Sequence, residues 1–125
     1  MHTYIPELLR VAVANTTRQV QLAIVTSLLQ VAGRMTPIFL PDFLKEANKI
    51  LAASLDVANY SALRIESLKV LILVLKKVPD CDPSTQSDLM ENIREVYSLR
   101  VEEFLRDVSP EVKSRADEAK RLMNE

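Results

Sequence analysis

A single glycine, Gly33, stands in this chain of 125 residues. Glycine supplies the positive φ of tight hairpin turns, so a chain nearly without it is poorly suited to an all-β fold. Loops that cradle phosphates need several glycines and are excluded as well. Other counts close further doors. One cysteine rules out a disulfide framework and a Cys-based zinc site. The one histidine, His2, sits at the terminus and leaves almost no room for His-dependent metal or acid–base chemistry. A hydrophobic fraction of 48% with 26% charged residues is ordinary for a folded core, and the length suits a single domain over 1–125.

Apolar spacing is helical nearly throughout. Ile5, Leu8, Leu9 and Ala12 begin a first segment. A second opens at Thr16-Thr17, follows Val20, Ile24, Leu28 and Val31, and is expected to stop at a Gly33 cap. Pro37 and Pro41 predict a short turn over 36–40, then a helix over 41–55 with Phe43, Leu44, Ala47, Ile50 and Leu51 on its stripe. The segment 62–78 is apolar on most sides, so it is expected to be buried on more than one face. Pro79-Asp80-Cys81-Asp82-Pro83 reads as a loop. The next segment, 84–107, is long and sharply amphipathic, with Leu89, Met90, Ile93, Val96, Tyr97, Val101, Phe104, Leu105 and Val108 on one stripe. Ser109-Pro110-Glu111 supplies an N-cap, a proline at the first helical position and an acid in the first turn of a last helix that reaches Met123.

The helix starts at Thr17, Ser61 and Ser109 are alike. Each has a hydroxyl near the cap, then an aliphatic residue (Val20, Leu63, Val112), then a polar or basic one. The aliphatic positions lie 43 and then 49 residues apart, the longer step being assigned to the loop at 79–83. A period of ~40–47 residues with two helices per unit falls in the range of helical repeats. The stretch Asp107-Val108-Ser109-Pro110-Glu111-Val112-Lys113-Ser114-Arg115-Ala116 resembles the second-helix signature of HEAT repeats, as does Leu63-Arg64-Ile65-Glu66-Ser67-Leu68. The resemblance covers about residues 5–123. It implies an all-α, right-handed α-solenoid, an armadillo-like superhelix of three helical hairpins at about 5–34, 37–78 and 84–123.

Ile38-Phe39-Leu40-Pro41, Ile65-Glu66-Ser67-Leu68 and Glu111-Val112-Lys113-Ser114-Arg115-Ala116 are also similar to a central stretch of the cullin-associated and neddylation-dissociated family. That likeness implies a piece of a long solenoid that wraps cullin–RING ligases and promotes exchange of their substrate receptors. The matching residues are mostly core positions shared among HEAT proteins, so no cullin contact is carried over. A chain of this length is too short to wrap a cullin by itself.

Formal net charge is −1, which is no footprint of nucleic-acid binding. The charge is segregated, with residues 1–79 at +4 and residues 80–125 at −5, an asymmetry able to steer a partner. No signal-peptide pattern opens the chain. The richest apolar run, Leu68–Val78, is broken by Lys69, Lys76 and Lys77, so no membrane span is expected. An intracellular protein, cytoplasmic or nuclear, fits best. Cys81 lies between two acids, which raise rather than lower a thiol pKa, so an inert cysteine is expected. Asp80, Asp82 and Asp88 lack the glycine and terminal glutamate of a calcium loop. Glu91/Glu95 and Glu102/Glu103 read as solvated faces, and no base serves a serine triad. No catalytic, cofactor or metal residue is therefore expected, and no small-molecule substrate.

The reading is a non-enzymatic scaffold that binds protein partners. In this repeat the second helices line the concave side, and Arg18, Gln21, Arg64 and Lys113 are the candidate partner-binding residues. The apolar stretch Ile5–Ala14 is expected to pack on further repeats or to self-associate. The competing readings are a compact helical domain and a helical repeat binding phosphate-bearing ligands or nucleic acid. For the latter, Arg64, Lys69, Lys76 and Lys77 are the candidate residues, and they lack interleaved aromatics.

Overall fold

The computed structural model describes residues 18–55 and 61–124. The expected first helix, with its apolar stretch, lies outside the described residues. Within them the chain is all-α, without a strand. The helices are α1 (Arg18–Arg34), α2 (Leu40–Ser54), α3 (Ser61–Lys77), α4 (Pro83–Phe104) and α5 (Pro110–Met123). One-turn 3₁₀ segments, Pro37–Phe39 and Val78–Asp80, lead into α2 and follow α3.

Proline and a polar cap start the last two helices. Asp82 accepts the Thr85 N–H and Pro83 takes the first turn of α4. Ser109 accepts the Val112 N–H at 3.4 Å and Pro110 begins α5. A proline there loses nothing, because its missing N–H has no intrahelical acceptor. The helix therefore starts at Pro83, one residue earlier than expected. Gly33 does not end α1 in a left-handed cap. No glycine has positive φ among the described residues, and α1 runs on to Arg34. A methyl group at Gly33 would meet only Leu73 Cδ1, at 4.0 Å. Gly33→Ala is accordingly expected to raise stability by about 0.5–1 kcal/mol in urea unfolding, since glycine alone carries the entropic penalty there.

The core runs through all five helices. α2 contributes Leu40, Phe43, Leu44, Ala47 and Leu51, and α4 contributes Leu89, Ile93, Tyr97, Val101 and Phe104 at steps of three and four. α3 is buried on most of its circumference, as its composition predicted: it packs on α1, α2 and α5. Ser67 in α3 is fully buried, and its hydroxyl donates to the Leu63 carbonyl at 2.7 Å, so no polar group is stranded. The inward side of α5 is narrow and small: Val112, Ala116, Ala119 and Met123. Small residues let its backbone lie close to the neighbours, and α5 packs on α3 and α4.

Two rows emerge from these contacts. α1, α3 and α5 pack in sequence, and α2 packs on α4. Polar ties join the helices, most of them across 42–44 residues. Asn48 Nδ2 donates to Asn92 Oδ1 (2.8 Å, 44 residues apart), and Tyr97 Oη donates to Asn48 Oδ1 across 49. Lys77 Nζ donates to the Met35 carbonyl (2.9 Å, 42 apart) and Cys81 Sγ to that of Pro37 (3.6 Å, 44 apart). Arg64 reaches Asp107, 43 residues on. The longer second spacing has a different origin from the one expected. The segment before α4 is not extended, as the Met35–Lys77 and Pro37–Cys81 ties keep step. Instead α4 has 22 residues where α2 has 15.

α4 also ends earlier than its pattern suggested, at Phe104. Asp107 turns back to accept the Ser109 N–H (2.8 Å), which fixes the linker into α5. Val108 is therefore not on the core stripe: it is 93% exposed.

Candidate functional site

The four residues singled out for partner binding meet different fates. Arg18 is the first residue of α1, and its side chain lies outside the described residues. Gln21 is half-buried, one turn further along. Lys113 is exposed in the first turn of α5. Arg64 corrects its expectation of exposure. It is buried at 9%, and Nη2 lies 3.3 Å from Asp107 Oδ1. The cause is its place beside Leu63, which is fully buried and draws the start of α3 against its neighbours. Arg64 is a strut between α3 and the entrance to α5.

The outward side of α3 mixes polar and apolar groups. α3 presents half-buried Ile65, Glu66, Lys69 and Leu73, and exposed Lys76. Lys69 pairs with Glu66 at 3.1 Å within the helix, and Lys76 pairs with Glu118 of α5 at 3.2 Å. Such surface pairs add ~0–1 kcal/mol each and leave the face open to rearrangement by a partner. Lys69 and Lys76 are thus already matched by acids, as is Arg64. Lys77 Nζ donates to the Met35 carbonyl.

A second feature lies where the two 3₁₀ turns meet. Pro37, Ile38 and Pro41 face Asp80, Cys81, Asp82 and Thr85 across a cleft of about 320 Å³. Ile38 is 80% exposed and Phe39 is 45% exposed. Both were read only as part of a HEAT-like core motif, in which Leu40 alone is fully buried. The signal that could have separated them is the bracketing pair Pro37 and Pro41, which forces a turn just there. Burial, then Asp82, then Asp80 push the Cys81 thiol up, away from a reactive thiolate.

Asp82 moves the other way. Hydrogen bonds from the Thr85 hydroxyl, the Ser84 hydroxyl and the Thr85 N–H hold its carboxyl down at about 2, from 3.8. A depressed carboxyl contributes stability above its unfolded value and loses it as pH falls through the folded one. The unfolding midpoints of wild type and Asp82→Ala are therefore expected to differ at neutral pH and to converge between pH 3.8 and about 2. A gap unchanged across that window would contradict the cap.

Among the described residues, no group of three His, Cys, Asp or Glu side chains is placed to hold a metal. No described helix is long and apolar enough to cross a membrane. A smaller cleft, about 150 Å³, lies between α4 and α5, where Arg94 Nε donates to the Met123 carbonyl at 2.9 Å. Comparison of the chain with protein-family models, curated proteins and solved structures gives no match.

Proposed function

We propose that the chain is a non-enzymatic HEAT-type scaffold, a stretch of right-handed α-solenoid that docks protein partners on the outward side of α1, α3 and α5. The observation that carries this reading is the recurrence of inter-helix ties at 42–44 residues: Met35 with Lys77, Pro37 with Cys81, Asn48 with Asn92 and Arg64 with Asp107. Ties that recur at 42–44 residues support a reading as stacked units, and stacked units make extended surfaces suited to other macromolecules. The mixed polar and apolar face of α3, with Ile65, Glu66, Lys69 and Leu73 half-buried, supports a protein partner over a nucleic acid. The partner class proposed from sequence resemblance is a cullin–RING ligase component, which would put the protein inside the cell.

Two measurements test this. Small-angle scattering should give a radius of gyration well above the ~14 Å of a compact domain this size. A value at ~14 Å would sink the solenoid. Biolayer interferometry against a purified cullin–RING core should give saturable binding that Lys113→Glu weakens. No binding at micromolar concentration would remove that partner and leave the architecture standing.

A further inference from the structure

The cleft between the two 3₁₀ turns is built, not incidental. Lys77 Nζ on the Met35 carbonyl and Cys81 Sγ on the Pro37 carbonyl hold its two sides in register. Gln86 Nε2 donates to the carbonyls of Pro79 and Cys81, at 2.9 and 2.7 Å, and braces the acidic side. One wall is apolar: Pro37, Ile38 and Pro41. The other carries Asp80 and Asp82. Neither acid forms an ion pair with a described residue. Lys77, the nearest cation in sequence, spends its ammonium on Met35 instead. Ile38, at 80% exposure, places a bulky apolar group in water beside two acids without an ion-pair partner among the described residues, and Phe39, one residue on, is 45% exposed. Exposed apolar groups gathered in one place mark sites of interaction more often than ones scattered singly.

Charge complementarity selects the occupant. We propose that this cleft docks a short protein segment presenting an aliphatic or aromatic side chain with a Lys or Arg one or two positions away. The apolar side chain seats against Ile38 and Pro41, and the cation faces Asp80 and Asp82. A cleft of about 320 Å³ is of the size that receives a side chain and its neighbour. Fixed charge on one wall selects sequence, while the apolar wall supplies affinity. The cleft shares no residue with the α1–α3–α5 face, so it extends the scaffold reading and is tested apart from it.

The test selects a displayed library of random short peptides on the whole chain. The expected consensus pairs an apolar residue with Lys or Arg, and a synthetic consensus peptide binds less tightly as salt rises. Ile38→Ser and Asp80→Lys, both at exposed positions, should each weaken that peptide by about tenfold or more. Leu99→Ser, at an aliphatic residue 72% exposed on α4, should leave it unchanged. Cys81 is the chain's only cysteine and lies in the cleft, so bound peptide should slow its alkylation. Four results would overturn the proposal: no consensus, an acidic or uncharged consensus, binding indifferent to both variants, or self-association abolished by Ile38→Ser, which would make a second copy the occupant.

Discussion

Arg64→Met is expected to lower unfolding stability by about 3–5 kcal/mol, the cost of leaving a buried carboxylate without its cation. Asp107 is that carboxylate. Its side chain is 5% exposed, and it holds both the Arg64 guanidinium and the Ser109 N–H. The size of the effect comes from the orphaned charge, not from the strength of the pair. Hence Arg64→Met combined with Asp107→Asn should recover most of the loss, because the amide oxygen still accepts from Ser109 while the charge is gone. Urea unfolding of the two single variants and the double closes the cycle. A loss below about 1 kcal/mol for Arg64→Met would mean that the pair behaves as a solvated one.

Tyr97→Ala should cost about 3–5 kcal/mol as well, by a different mechanism. Tyr97 is fully buried in α4, and its ring fills the space toward α2. Removing it leaves a cavity where α2 and α4 meet. Its hydroxyl donates to Asn48 Oδ1, and Asn48 in turn donates to Asn92 at 2.8 Å, so one buried phenol organises the polar tie of that row. Burial pushes the phenol pKa well above the ordinary tyrosine range, which keeps the donor proton in place. Tyr97→Phe isolates the hydrogen bond from the packing and should cost only about 1–2 kcal/mol. If Phe and Ala cost the same, the ring contributes nothing through packing and the cavity account is wrong.

How much of this was legible in the residues depended on the range of the interaction. Ser109-Pro110-Glu111 announced α5 because cap, proline and acid act within one turn. Asp82-Pro83 carries the same local logic, yet it was read as loop because the Pro and Asp cluster around it favours a turn equally well. The apolar circumference of α3 was visible in its composition, since a helix that packs on three others needs apolar groups on most sides. Arg64 was misjudged because nothing within a turn of it reveals a partner 43 residues away. Val108 fitted the periodicity of α4 but falls after the helix has ended, where the Asp107 side chain redirects the chain. Ile38 and Phe39 failed for a related reason: apolar character predicts burial only inside a regular element, and the turn between Pro37 and Pro41 is not one. The cleft joins residues from two turns whose meeting depends on the same long offset, so neither wall announced the other.

The position of α3 has a consequence for how the molecule comes apart. It is central both along the described chain and in the row, with α1 on one side and α5 on the other. α5 can detach by giving up its contacts with α3 and α4, whereas freeing α3 breaks its packing on α1, α2 and α5 together. Amide protons along Leu68–Leu75 should therefore exchange with solvent last, at rates that report complete unfolding, while α5 exchanges through partial opening from its own end. Such a gradient lets an end of the row loosen around an incoming partner while the centre keeps its shape.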